Sequence, residues 1–280
     1  MAVLEPPLSK LATRSPADRY LIKSLVRGLE VMEVFGGAPR GLTVTEVARA
    51  IGCGKGTTFR YLSTLGALGY LEFEAESHRY RPAVRVMRLG GAYLAALSLP
   101  ELATPHLERL AAAVAESVNM AVLDETEVVY VARVGARRIL STNLAVGSRL
   151  PAHCTALGKV LLAYLPADER DRRLAELDLA PLTSKTLTNR ARLRQALSAV
   201  QRQGYALNDQ ELDLGLRSCA APVLDRCGAA VAAINVSVPS AHATLHELET
   251  RYVPLLVNTA REVTSVVTTL HRQGEGPASP

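Results

Sequence analysis

Tryptophan is absent from this 280-residue chain, and nine tyrosines and three phenylalanines are its only aromatic residues. So few aromatics argue against an extended surface for stacking single-stranded bases. The four cysteines show neither C-x-x-C spacing nor another metal framework, so no cofactor or metal is predicted. The N-terminus lacks the pattern of a secretory signal, and the longest uncharged run, residues 227–246, contains Asn235 and Pro239, which a membrane helix disfavours. We therefore expect a soluble, cytoplasmic protein without a membrane partner.

The net positive charge of the chain is confined to its first third. Residues 1–98 carry 13 Lys and Arg against 8 Asp and Glu, whereas residues 99–280 carry 19 of each. No acidic residue lies between Glu46 and Glu72. A basic first module beside a neutral second one points to an anionic partner for the first, and a solvated basic face is the alternative.

The first module has the pattern of a winged helix-turn-helix. Apolar residues recur at spacings of three and four over residues 21–35, which predicts a helix. Thr43 and Glu46 have the form of a capping box, a third helix is predicted over residues 55–68, and two alternating segments predict a β-hairpin. The positions expected on the buried face of the first helix are Leu21, Leu25, Leu29, Met32 and Phe35. In the third helix, the buried row is expected to end at Leu68.

The second helix of such a motif enters the major groove, and its first residues reach base edges. Arg60 suits a forked contact to guanine, and threonines at a helix N-terminus suit phosphates. The basic hairpin would lie near the backbone or the minor groove. The predicted DNA-binding residues are Thr43, Thr45, Lys55, Gly56, Thr57, Arg60, Arg79 and Arg81.

Two features of the third helix have competing explanations. Phe59 is either a core residue or an apolar contact to thymine methyl groups, and the pattern favours the core. Residues 52–58 look like part of a phosphate-binding loop. However, Arg49 and Gly56 stand where that motif requires glycine and a hydroxyl residue, so a nucleotide site is not expected.

The second module alternates hairpin-rich blocks with helices. Strands are predicted near residues 119–124, 127–134, 138–144, 218–225 and 229–238, with a long final helix over residues 241–270. Such an order predicts an α+β chain whose second domain is an antiparallel sheet covered by helices. The expected organisation is a flexible arm (1–18), a winged helix-turn-helix domain (19–83), a linker helix (84–98), the second domain (99–271) and a disordered tail (272–280).

No catalytic constellation is evident in the second module. His153 and Cys154 are adjacent, and neighbours in sequence rarely face each other. His242 and His246, spaced as on one helix face, have no third ligand, and a solvated pair is favoured over a metal site. We therefore predict that the protein is not an enzyme.

The segment before the first helix in the central part of the second module favours a binding pocket. Residues 151–158 lead directly into a predicted helix, and small residues at its start leave room. Free N–H groups at a helix N-terminus attract carboxylates. A plain capped core helix is the alternative.

Four segments resemble the IclR family of bacterial winged-helix transcriptional regulators. They are residues 42–71, LPAHCTALGKVLLA (150–163), GYALNDQELDLGLRSCAAP (204–222) and AVAAINVSV (230–238). The resemblance covers residues 20–267. The sequence around Leu150 and Asn208 is most similar to that of regulators of the protocatechuate and 4-hydroxybenzoate (β-ketoadipate pathway) group.

This resemblance implies a GAF-like effector-binding domain, dimers that pair into tetramers, and a pocket on one side of the domain's sheet. Some relatives carry cysteine in place of Ser218 and aspartate in place of Asn208. The asparagine removes a charge that would repel an anionic ligand. The residues that match family pocket positions are Ile139, Ala156, Leu157, Asn208, Asp209, Leu216 and Ser218.

Taken together, these observations predict a ligand-responsive regulator of a catabolic operon. It would bind a palindromic double-stranded operator as a dimer and sense a small aromatic or dicarboxylic organic acid. A DNA-binding architectural protein without a ligand is one alternative. An enzyme acting on a small organic acid is the other, and the missing catalytic constellation argues against it.

Overall fold

A computed structural model describes residues 21–89, 99–135 and 144–274. The chain forms two compact units, Met1–Ala96 and Leu97–Pro280. The predicted arm (1–18), most of the predicted linker helix (84–98), Ile139 and residues 275–280 lie outside the described residues. The domain boundaries expected near residues 83 and 98 stay predictions.

The first unit has the order expected of a winged helix-turn-helix. The predicted capping box is confirmed, because Thr43 Oγ1 accepts the Glu46 N–H at 3.3 Å and the Glu46 carboxylate accepts the Thr43 N–H at 2.7 Å. Gly52, at φ +63°, makes the turn into the next helix in a conformation that favours glycine. The elements are α1 (Lys23–Glu33), a 3₁₀ turn (Val34–Gly37), α2 (Val44–Ala50), α3 (Lys55–Ala67), the antiparallel pair β1 (Leu71–Glu74) and β2 (Arg79–Pro82), and a 3₁₀ turn (Val84–Val86).

The core of this unit corrects the predicted face of α1. Phe35 is buried as predicted, but Leu21, Leu25 and Leu29 are 47%, 60% and 49% exposed. Val31, which is outside the predicted row, is buried instead. The reason is that α1 packs against α3 along a face one step around the helix from the leucine stripe. The buried cluster comprises Val31, Phe35, Val47, Ile51, Leu62, Leu71 and Tyr80.

The buried row of α3 also ends earlier than expected. Leu68 is 50% exposed, because α3 ends at Ala67 and Leu68 serves as its C-cap. Gly69, at φ +76°, then turns the chain towards β1.

The second unit contains a six-stranded antiparallel sheet in the order β5-β4-β3-β8-β7-β6, which confirms the predicted fold class. Four of its strands match predicted ones: β3 (Ser117–Asp124), β4 (Glu127–Val134), β7 (Leu216–Leu224) and β8 (Ala230–Pro239). The edge strands β5 (Arg149–Pro151) and β6 (Ala206–Asp209) are not predicted by the sequence, since neither Arg-Leu-Pro nor Ala-Leu-Asn-Asp shows the regular alternation of apolar and polar residues that β1 and β2 show. The strand expected at residues 138–144 lies almost entirely outside the described residues.

Helices cover both faces of this sheet. Helix α5 packs on one face, against β7, β8 and β6, while α9 contacts β7 and β8, and α4 contacts β3 and β4. The predicted final helix begins later than residue 241, because Thr244 and Glu247 form a second capping box. The helices are α4 (Leu99–Val114), α5 (Ala156–Ala163), α6 (Ala167–Glu176), α7 (Arg190–Gln203), α8 (Leu245–Glu247), a π-helical turn (Leu248–Tyr252) and α9 (Val253–Gly274).

Helix α5 lies unusually close to the segment that follows β5. A Cβ on Gly158 would overlap the backbone of Ala152, so only glycine fits. Every residue of α5 is buried, and Leu157, Leu161 and Leu162 join the central apolar cluster. None of the helices in the described residues combines the length and apolarity needed to cross a membrane.

Candidate functional site

Helix α3 presents a polar, acid-free surface at its N-terminal end. Lys55, Gly56, Thr57 and Arg60 are all exposed, as predicted for a recognition helix, while Thr58 is buried and donates its hydroxyl to Gly54 O at 3.1 Å. A Cβ at Gly56 would meet open space, so a nucleic-acid backbone could approach closely there.

Phe59 belongs to this surface and not to the core. Its side chain is 53% exposed. The core interpretation was wrong because α3 turns Thr58 and Leu62 inward, and Phe59 lies to the side of that row. A large apolar ring is thus displayed beside Arg60.

The two threonines at the start of α2 differ in how their hydroxyls are used. Thr43 donates its hydroxyl to Glu46 Oε2 at 2.9 Å while it caps the helix, whereas Thr45 is exposed. Hydrogen bonds from the Thr43 N–H and hydroxyl, together with Arg79, lower the pKa of Glu46. The carboxylate is therefore held in its charged form at the helix N-terminus.

The two predicted arginines of the hairpin are both paired within the unit. Arg79 donates to Gly41 O at 2.8 Å and to Glu46 Oε2 at 2.9 Å, so it ties the hairpin to α2. Arg81 lies 3.0 Å from Glu74 Oε1 and is the more exposed of the two. Exposed ion pairs are weak, so phosphate could replace the carboxylate partner.

A row of polar side chains crosses the sheet face that α5 covers. Asn119 on β3 pairs with Asn235 on β8, and Asn119 Nδ2 donates to Asn235 Oδ1 at 2.8 Å. Asn235 Nδ2 donates to Ser237 Oγ at 3.0 Å, and Ser237 pairs with Ser218 on β7. Both asparagines are buried, in a face otherwise made of small apolar residues such as Ala121, Ala220 and Ala233.

Sequence reasoning identified Ser218 in this row but missed Asn119, Asn235 and Ser237. The polar residues that interrupt the apolar strands β3 and β8 were the available signal. Because buried polar groups must be hydrogen-bonded, asparagines at facing positions of predicted strands indicate a shared polar site.

Asn208 and the start of α5 form one edge of this row. Asn208 pairs with Ser218 across β6 and β7, and its amide donates to Cys154 O at 2.6 Å. Its Oδ1 accepts the Glu211 N–H at 3.2 Å. Thr155 caps α5 by accepting the Gly158 N–H at 3.0 Å. The two predicted pocket residues Ala156 and Leu157 are buried at the first turn of α5, and Leu216 lies two residues before Ser218 on the same face.

Asp209 points to the opposite face from Asn208, because neighbours in a strand alternate. Lys185 Nζ reaches its Oδ2 at 2.6 Å and Arg217 Nε its Oδ1 at 2.7 Å. Partial burial favours the neutral carboxyl, but the hydrogen bonds from Lys185, Gln210 and Arg217 outweigh it and lower the pKa of Asp209 well below its ordinary value. The structure thus places this predicted pocket residue in an ion-pair network.

A buried ion pair joins Lys159 of α5 to Glu211, in the loop that follows β6. Lys159 Nζ bonds Glu211 Oε1, and both side chains are buried. His153 is also buried, with Nε2 3.3 Å from Ala180 O. Burial lowers the pKa of His153 and raises that of Cys154 to about 12, so the adjacent thiol is not an activated nucleophile.

The predicted histidine pair does not share a helix. His242 lies in a turn before α8, with Nδ1 3.3 Å from Glu116 Oε1, and His246 is within α8. Within residues 21–89, 99–135 and 144–274, no three His, Cys, Asp or Glu side chains are grouped as metal ligands.

Both units match known proteins. Residues 24–75 match the IclR helix-turn-helix domain, and residues 91–265 match the bacterial transcriptional regulator IclR C-terminal domain. The Pca regulon regulatory protein of Pseudomonas putida is 35% identical over 267 residues, covering 94% of this chain and 91% of that protein. The p-hydroxybenzoate hydroxylase transcriptional activator of Acinetobacter baylyi is 36% identical over 251 residues, covering 88% and 92%.

A solved structure adds a ligand to the comparison. An IclR homologue from Microbacterium hydrocarbonoxydans, complexed with 4-hydroxybenzoate, is 26% identical with a TM-score of 0.73. The match covers 89% of this chain and 99% of that one.

A helix-turn-helix unit with an exposed, acid-free helix face and a second unit that matches the IclR C-terminal domain define a DNA-binding transcriptional regulator. The matched relatives are regulators of transcription. The chain belongs to the IclR family of transcriptional regulators.

Proposed function

We propose that this regulator binds a palindromic operator of a catabolic operon as a dimer, in the cytoplasm, and senses a small aromatic acid. The polar row beside the N-terminus of α5 carries the proposal, because hydrogen-bonding groups buried under a helix start suit a small anionic ligand. The name of the p-hydroxybenzoate hydroxylase activator and the solved homologue complexed with 4-hydroxybenzoate support an aromatic acid over a dicarboxylic one. An enzymatic role finds no support in the inert Cys154 thiol.

In the first unit, Lys55, Gly56, Thr57 and Arg60 would face the major groove. Arg60 would specify guanine, and Phe59 would contact a thymine methyl. Thr45 and the α2 N-terminus, including Thr43, would bind phosphate, as would Arg81 and Arg79 of the hairpin.

In the second unit, Ala156, Leu157, Leu216 and Ser218 would line the effector site. The family resemblance also assigns Ile139 to it, and this residue lies outside the described residues. Asn208 would position the start of α5 through its bond to Cys154 O. Asp209 would act from the opposite face, by fixing Lys185 and Arg217.

The exposed stripe on α1 supports self-association through the first unit. Leu21, Ile22, Leu25 and Leu29 are between 47% and 65% exposed and lie on one side of the helix. Exposed apolar patches of this kind commonly mark protein interfaces. Pairing of two such units would match a palindromic operator, and a tetramer would pair two dimers.

The test is selection of bound genomic fragments by the full chain at physiological salt, with and without 4-hydroxybenzoate, protocatechuate and adipate. We expect a discrete palindrome near catabolic genes, with binding changed by an aromatic acid. A palindrome whose binding no acid changes would favour the architectural alternative. Salt-sensitive binding with no preferred site would overturn the operator proposal. Consumption of an acid by the protein alone would revive the enzyme alternative.

A further inference from the structure

Two arginines lie in the strands that carry the polar row, and they lie on opposite faces of the sheet. Among the described residues of β3, β4, β6, β7 and β8, Arg133 and Arg217 are the cationic side chains. Arg217 donates to Asp209 Oδ1 at 2.7 Å, Ser240 O at 2.9 Å and Ala243 O at 2.8 Å, on the face opposite Ser218. Its guanidinium is occupied in holding the fold.

Arg133 lies on the other face, at the end of the polar row. It pairs with Asn119 across β4 and β3, and its Nη1 is 3.5 Å from Asn119 Oδ1. The row that follows, from Asn119 to Asn235 and Ser237, carries no acidic side chain. Arg133 therefore brings a guanidinium to one end of a row of neutral, hydrogen-bonding side chains.

The neighbouring surface is apolar and aromatic. Tyr130 and Ala121 face each other across β4 and β3 and pack in the same cluster as Leu157 of α5. Burial raises the pKa of Tyr130 to about 12 against the opposing charge of Arg133, so a neutral phenol lies within electrostatic reach of the guanidinium. A ligand with an apolar body and one anionic end would match an apolar surface that lies next to a guanidinium.

The amide row also has donors left for a ligand. Each carboxamide nitrogen carries two hydrogens. Asn119 Nδ2 uses one on Asn235, and Asn235 Nδ2 uses one on Ser237. The forked guanidinium of arginine binds carboxylates in two parallel hydrogen bonds, which is stronger than contact with neutral donors alone.

We propose that Arg133 binds the carboxylate of the effector, and that Asn119 positions the guanidinium for it. The site would thereby select ionised acids with a small apolar body over their neutral analogues. This inference rests on the proposed function of the polar row as an effector site, and it adds the residue that binds the effector's carboxylate.

The experiment compares 4-hydroxybenzoate with its neutral analogue 4-hydroxybenzamide by titration calorimetry on the full chain at pH 7. Wild type should prefer the acid by at least about 10-fold, because the amide cannot form a charge-assisted pair. Arg133→Gln should bring the two affinities within about 3-fold of each other, and Arg133→Lys should keep part of the preference. Arg149→Gln is the matched control: this arginine, on edge strand β5, pairs with Asp124 and Glu127, and its loss should leave the preference unchanged.

A structural role for Arg133 would weaken both ligands together and leave their ratio unchanged, and that result would overturn the proposal. So would an Arg133→Gln protein that still prefers the acid by about 10-fold. If Arg133→Gln does not fold, Asn119→Asp places a competing carboxylate beside the guanidinium and should abolish the preference. A wild-type protein that binds neither the acid nor any other aromatic acid would instead overturn the proposed effector function, and this inference with it.

Discussion

The two units of this regulator place their candidate functional side chains in opposite environments. In the first unit Arg60, Thr57 and Phe59 stand exposed on α3, held by a core that they do not join. In the second unit Asn119 and Asn235 are buried within the sheet that forms the core itself. Substitutions at the DNA surface should therefore change binding with little effect on folding, whereas polar substitutions in the second unit should change folding first.

The largest expected effect is at the buried ion pair of the second unit. Lys159→Met leaves the Glu211 carboxylate buried without its cation and should lower the free energy of unfolding by about 3–5 kcal/mol. Urea titration followed by circular dichroism measures it. Lys185→Met is the control, since this half-exposed lysine pairs with Asp209 at 2.6 Å and should cost about 0–1 kcal/mol.

A double variant of Lys159 and Glu211 tests whether the stranded carboxylate causes the loss of stability. Adding Glu211→Leu to Lys159→Met removes the stranded charge and should restore most of the lost stability. Equal losses in Lys159→Met and Lys185→Met would show that burial does not distinguish the two pairs.

Arg60→Ala should show the reverse pattern in the first unit. We expect a loss of about 1–3 kcal/mol in affinity for the operator, with the free energy of unfolding changed by less than about 0.5 kcal/mol. Fluorescence anisotropy with operator and scrambled DNA measures the affinity. Arg79→Ala should instead weaken both DNAs equally and lower the salt slope by about 1. An Arg60→Ala protein that binds its operator normally would contradict the assignment of α3 as the recognition helix.

Phe59 gives a smaller and more specific test of the exposed surface. Phe59→Ala should lower operator affinity by about 1 kcal/mol, because an apolar contact to a thymine methyl is lost. Replacing operator thymines by deoxyuridine removes the methyl groups and should weaken wild type but not Phe59→Ala. If both proteins respond equally to deoxyuridine, the ring does not read that base.

The smallest expected effect is the acid response of α2. Hydrogen bonds from Thr43, with Arg79, lower the folded-state pKa of Glu46, so its stabilising contribution is present above the unfolded pKa and lost as the pH falls through the folded value. Glu46→Gln should cost about 0.5 kcal/mol at pH 7, because the carboxylate is partly exposed and screened. Urea titrations at pH 7 and pH 3 measure how far the free energy of unfolding falls on acidification. This fall should be smaller in Glu46→Gln than in Glu72→Gln, an exposed control on β1.

The sequence predicts the first unit well because its signals are local. The capping box of Thr43 and Glu46 and the turn at Gly52 each lie within a few residues. The exposed leucines of α1 escaped prediction because a helical stripe shows that one face is apolar and not whether this unit or another surface covers it.

The polar row of the second unit depends on strand pairing, which periodicity does not reveal. Asn119 and Asn235 are 116 positions apart and meet only because β3 and β8 are neighbours in the sheet. Family resemblance identified Ser218 and the start of α5, and the alternation within β6 then separated Asn208 from Asp209. Arg133 lies in a strand that was predicted, but its partner could be assigned only from the register.

The contact between Gly158 and Ala152 has a consequence for how such sensors diversify. With no space for even a methyl group, α5 is pinned and its first turn forms a fixed wall. We expect a larger or smaller effector to be accommodated instead at Leu216, the partly exposed residue that begins β7. Libraries intended to retune a biosensor built on this scaffold should therefore vary position 216 and leave position 158 unchanged.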